Sequence, residues 1–111
     1  MPLTLIPSTV GNVARLELVG DVDGSTAPLV RDAVDKLLSN APRALVLQVE
    51  QLAYMSSAGL RVLIFAKQKS PSLMIYVVKP QPPILDTLKK TGFYDGVYVT
   101  DTEPESGAPP V

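Results

Sequence analysis

Two periods of hydrophobicity alternate along this chain, and that alternation restricts its fold more than any other feature. The segments LTLIP, NVARLELVG, RALVLQVEQL, LMIYVVK and GVYV read as strands, and three segments between them carry helical patterns. In the second strand Ala14, Leu16 and Leu18 share one face, with Arg15 and Glu17 on the other. In PLVRDAVDKLLSN, Val30, Ala33, Val34 and Leu37 follow the i, i+3, i+4, i+7 spacing of an amphipathic helix, with Thr26 placed to cap it and Pro28 in its first turn. The run 59–69 is unbroken by proline, and PPILDTLKKTG has proline near its start and Gly92 at its end.

The order is β-β-α-β-α-β-α-β. The turn STVGN folds the first two strands into an antiparallel hairpin, and the alternating remainder predicts parallel strands joined by helical crossovers. Such crossovers are right-handed, so strands laid down in one direction place their helices on one face. The expectation is a single α/β domain over 1–100: a mixed, mostly parallel sheet of about five strands, the first antiparallel, with the helices mainly packed on one face. Arg15, Glu17, Gln48 and Glu50 predict that the opposite face is partly wet. The Pro- and Glu-rich segment 101–111 has little to bury and is expected to be a flexible tail.

Cysteine, histidine and tryptophan are all absent, which removes disulfides, thiolate metal sites, Ser-His-Asp or Cys-His catalysis and imidazole proton transfer together. Ten basic and eleven acidic residues lie scattered, with a net charge of −1, which argues against a nucleic-acid partner. No segment approaches the run of about 18 apolar residues that suggests a membrane span, and the N-terminus lacks a basic leader. The expected protein is cytoplasmic and makes no direct membrane insertion.

Two loops leave the carboxyl ends of strands, where α/β proteins collect their sites: GDVDGST after the second strand and AYMSSAG after the third. If those strands are neighbours, Asp21, Asp23, Ser56 and Ser57 become local companions. Ser57 stands where a helix begins, among unpaired N–H groups at the positive end of the helix dipole, so a phosphate there would be well tolerated. The residues alone leave a second role open, since serine is a preferred N-cap and Asp23-Gly24 a common turn former. Ala58 and Gly59 would keep the approach to the serine open, and Leu60, Val62 and Phe65 spread apolar character around more of the helix than one buried stripe requires, which leaves open a partner-facing patch or a helix that is simply well covered. A nucleotide-binding enzyme using Asp21, Asp23 and Ser57 is disfavoured, because neither loop contains Lys or Arg and no G-x-x-x-x-G-K-[ST] or G-x-G-x-x-G motif occurs.

The segments LVGDVDGSTAPLVRDAVDKLL and LVLQVEQLAYMSSAGLRVL together resemble a STAS domain, in particular the stand-alone anti-sigma factor antagonists of bacteria. The resemblance spans Leu3 to about Val99 and is most specific at YMSSAGLRVL. It implies a non-enzymatic protein without cofactor or metal that works by partner switching. The unphosphorylated form would bind an anti-sigma factor that is also a GHKL-type serine kinase, which holds the ATP and Mg²⁺. Phosphorylation of Ser57 would end that complex, and a PP2C-type phosphatase would restore it. Ser57 falls on the family's acceptor position, with Ser56 as the fallback, and Asp23 on an acidic position of the partner-facing surface. Asp21, Thr26, Ser56, Ala58, Gly59, Leu60 and Arg61 complete the expected partner-binding set. The family often has aspartate immediately before the acceptor, where this chain has Ser56. The alternative is a constitutive STAS module of a transporter or signalling complex, without the switch.

Overall fold

The computed structural model describes residues 2–102. Apart from its first two residues, the expected tail 101–111 lies outside them. The elements run β1 (Thr4–Val10), β2 (Val13–Val22), α1 (Ala27–Leu38), β3 (Ala44–Gln48), β4 (Leu52–Met55), α2 (Ser57–Lys69), β5 (Met74–Val78), α3 (Pro82–Lys90), a single 3₁₀ turn (Phe93–Gly96) and β6 (Tyr98–Thr100). The sheet order is β1-β2-β3-β5-β6, with β4 paired separately to β2. Only β1 is antiparallel to its neighbour. The mixed, mostly parallel sheet is therefore as the hydrophobic periods require, with six strands where about five were expected.

The additional strand comes from dividing one apolar run in two. RALVLQVEQL stops pairing with β2 at Gln48, turns through Val49 to Leu52, and returns as β4 against the later part of β2. The Leu52 amide donates to the Val49 carbonyl at 3.0 Å and closes this turn. A bulge between Gly20 and Asp21 lets β2 change partners. Gly20 has φ +111, and a Cβ there would collide with the Pro2 carbonyl, so this crossing needs glycine.

The helix-facing residues of the strands, among them Leu16, Leu18, Leu45, Leu47, Ile75 and Val77, form one core with the inner faces of α1, α2 and α3. Their alternate neighbours Val13, Ala44, Val46, Tyr76 and Val78 make a smaller cluster on the other face. Arg15, Glu17 and Gln48 are half-buried on that face, with Arg15 and Glu17 paired at 3.6 Å. It is mixed, as the polar alternation suggested.

Because Leu16 is fully buried at the centre of β2, Leu16→Ala is expected to cost about 2–5 kcal/mol in urea unfolding. Ile6 is 46% exposed on edge strand β1, so Ile6→Ala should shift the same midpoint only marginally. Equal costs would mean that β2 is not the centre of the fold.

Candidate functional site

The two loops do converge, by a shorter route than the sequence suggests. The second leaves β4 rather than β3, and Asp21 and Val22 at the end of β2 pair directly with Tyr54 and Met55. The Ser56 amide then donates to the Val22 carbonyl at 2.8 Å, which fastens the start of α2 to the end of β2. Asp21, Asp23, Thr26, Ser56 and Ser57 are brought together by backbone bonds.

Ser56 and Ser57 divide the roles that the sequence leaves open. Ser56 is the N-cap of α2, with extended φ −78 and ψ 171 and its hydroxyl accepting from the Gly59 amide at 3.4 Å. Its side chain is half-buried. Ser57 is the first helical residue and is exposed. The helix therefore has a neutral cap, and no acidic residue lies in its first turn.

Asp23 organises the other loop. Its Oδ1 accepts from the Ser25 amide at 2.9 Å, the Ser25 hydroxyl at 2.7 Å and the Thr26 amide at 3.0 Å. The Ser25 hydroxyl above all, then the Thr26 and Ser25 amides, hold the Asp23 carboxyl below its ordinary value. Thr26 occupies the N-cap position of α1 but does not cap with its side chain. Its backbone is already helical, at φ −101 and ψ −18, and Pro28 in the first turn offers no N–H. The Thr26 hydroxyl instead accepts from the Asp23 amide at 2.9 Å and bonds back to the Asp21 carbonyl at 3.3 Å.

Two expected surface residues point inward. Gly59 is buried, and a Cβ on it would lie 2.8 Å from both Met55 Cγ and Val22 Cγ1. The glycine thus lets the helix sit against the strands and does not open an approach to the serine. Leu60 is buried in the helix-facing core, as is Val62, and Phe65 is partly covered. The apolar spread around α2 is therefore mostly core packing. Ala58 is half-buried and Arg61 exposed.

Beside Ser57, α1 and α2 leave a groove of about 270 Å³ between them. Ala27, Ala58, Val62 and Phe65 contribute its apolar lining, and Arg31 and Arg61 bring charge from α1 and α2 respectively. The Arg31 guanidinium lies 4.4 Å from the centre of the Phe65 ring. The sequence does not single out Arg31 or the 51%-exposed Tyr54 as site residues, and it offers Phe65 only as part of an apolar patch. Tyr54 could have been suspected as an aromatic on the polar side of its strand, whereas the meeting of Arg31 with Phe65 depends on how two helices pack.

A sheet with helices on one face, carrying an exposed serine at a helix start and an aspartate-ordered loop beside it, is an α/β domain whose site is a surface. The STAS domain family profile matches residues 6–106, and the chain belongs to this family. An anti-sigma factor antagonist from Mycobacterium paratuberculosis has a similar structure, with TM-score 0.82, 22% identity and coverage of 91% of this chain and 87% of that one. The phosphorylated form of the Bacillus cell fate determinant SpoIIAA aligns with TM-score 0.71, 15% identity and coverage of 90% and 93%. A sulfate transporter family protein from Wolinella succinogenes aligns with TM-score 0.68, 15% identity and coverage of 85% and 81%. Among the described residues, no helix is long and apolar enough to cross a membrane, and no group of three His, Cys, Asp or Glu could hold a metal ion.

Gly59→Ala is expected to destabilise the domain, because overpacking against Val22 and Met55 costs about 1–3 kcal/mol while alanine returns at most about 1 kcal/mol of helix propensity. Gly24→Ala, in open space, is the control. An unchanged urea midpoint for Gly59→Ala would refute the close approach. By carboxyl NMR titration, Asp23 should titrate below a typical aspartate, and Ser25→Ala should move it upward. With the folded pKa depressed, its contribution to stability is present at neutral pH and fades as pH falls through that lowered value.

Proposed function

We propose that this chain is a cytoplasmic anti-sigma factor antagonist whose partner is switched by phosphorylation of Ser57. The reading is supported most by the division of labour between the two serines. Ser56 is half-buried with its hydroxyl engaged in the cap, while Ser57 is exposed on the first turn. Of the two adjacent serines, Ser57 is the one whose hydroxyl a kinase reaches freely. The step moves the γ-phosphoryl group of ATP onto Ser57 Oγ, with release of ADP and loss of the hydroxyl proton. The donor and its Mg²⁺ belong to the partner, an anti-sigma factor that is also a GHKL-type serine kinase, and hydrolysis by a PP2C-type phosphatase returns the free hydroxyl.

The modification suits its place. A phosphate adds about −1.5 to −2 charges beside the positive end of α2, where an anion gains roughly 0.3–1 kcal/mol. The domain need not refold to change its partner. In the unphosphorylated state, Asp23 with its loop, Ser57 and Arg61 present one surface to the anti-sigma factor, and Gly59 and Leu60 support it from beneath.

Intact-mass and peptide mass spectrometry of the protein recovered from its host test this reading. One phosphate is expected on the wild type and on Ser56→Ala, and none on Ser57→Ala. Ser56→Ala should also lose about 0.5–1 kcal/mol of stability with its cap. Loss of phosphate only in Ser56→Ala would move the acceptor by one residue. No phosphate under any growth or stress condition would leave a constitutive interaction module in its place.

A further inference from the structure

Neither guanidinium at the groove between α1 and α2 is ion-paired among the described residues, and no carboxylate lines the groove. Among the other cations, Arg15, Lys69, Lys79 and Lys90 do have carboxylate partners. Arg31 is also held in place. Its guanidinium carbon lies over the Phe65 ring, 4.4 Å from the centroid, and a guanidinium lying on an aromatic face keeps its in-plane N–H groups for a carboxylate. Arg61 stands across the groove and one helical turn after Ser57, on the same side of α2.

We propose that this groove seats an acidic, amphipathic segment of the partner protein, with a carboxylate of that segment held by Arg31 and Arg61 and an apolar side chain against Val62 and Phe65. A guanidinium pairs with a carboxylate through two parallel N–H donors, which gives direction as well as attraction. The apolar lining supplies the contact that a lone ion pair on a wet surface lacks. The groove also accounts for how a small modification reaches the interface. A phosphate on Ser57 lies at i, i+4 from Arg61 and takes that guanidinium in competition with the partner's carboxylate. This competition rests on Ser57 being the acceptor, whereas the seating of the segment does not.

The test uses the full chain with a random twelve-residue peptide library displayed on phage as the probe. Selected peptides are expected to share an Asp or Glu spaced three or four residues from an apolar side chain. A synthetic peptide from that set should bind Arg31→Glu and Arg61→Glu at least tenfold more weakly, and the neutral Arg31→Met and Arg61→Met several-fold more weakly. Ile64→Glu, on an exposed part of α2 outside the groove, should bind as the wild type does. Thermal melts of every variant separate lost binding from lost folding. A library that yields no acidic consensus, or a peptide indifferent to both arginines, overturns the proposal. Chain carrying genetically encoded phosphoserine at position 57 should bind the peptide at least tenfold more weakly, and equal binding overturns the competition. Because that phosphate is installed directly, the result is independent of whether the host phosphorylates Ser57. The mass spectrometry above decides that separately.

Discussion

The site depends on how closely the first turn of α2 can lie against the ends of β2 and β4. One backbone hydrogen bond, from the Ser56 amide to the Val22 carbonyl at 2.8 Å, fixes where the helix begins. One missing side chain, at Gly59, lets the helix come that near. Move either, and Ser57 no longer stands beside the Asp23 loop. The same approach aims the inner face of α2 at the core, so Leu60, Val62, Leu63 and Ala66 are buried by the contact that exposes Ser57. Packing and placement of the site are one constraint.

Strand β2 is the element on which that constraint acts. It pairs from Val13 to Val19 with β1, from Val13 to Glu17 with β3, and from Gly20 onward with β4. The strand therefore connects the centre of the sheet to the rim where both loops emerge. The bulge at Gly20 and Asp21 turns the strand end towards β4, and Asp23 follows two residues later with an ordered set of hydrogen bonds. An aspartate that accepts from the amides and hydroxyls of Ser25 and Thr26 in its own turn is a fixed negative feature of the surface. Its lowered pKa and its geometry have the same origin.

Much of this was legible in the residues, and the exceptions have physical reasons. Alternation in β2 and helical spacing in α1 identified their buried faces, because burial on one side imposes those periods. The division of RALVLQVEQL into β3 and β4 left no such mark. Its turn, Val49 to Leu52, contains neither glycine nor proline and is closed by the backbone bond at Leu52 and by the Gln48 side chain accepting from the Glu50 amide. Thr26 has the right residue type for a cap, yet its backbone is already helical, a property no side chain announces. Gly59 matters to the site, though by packing and not by access. A glycine near a serine suggests access from outside, whereas the nearest atoms to its absent Cβ lie inside. Arg61 comes from the family resemblance, whereas Arg31 is beyond reach of the sequence, since only the packing of α1 against α2 makes the two neighbours.

Replacing the family's aspartate by Ser56 bears on what a phosphate at Ser57 would do here. An acidic cap would already compensate the positive end of α2, to the extent of about 0.3–1 kcal/mol, and would repel a second anion placed one residue on. A serine cap satisfies the Gly59 amide without adding charge, so the helix end stays electropositive and carries no like-charge penalty of its own. A phosphate at Ser57 would then tighten the start of the helix rather than melt it. Its effect would fall on what lies along the helix, and one turn on lies Arg61. In a domain whose core is finished beneath the site, added charge can change the partner only by changing the surface, and this surface offers it a guanidinium.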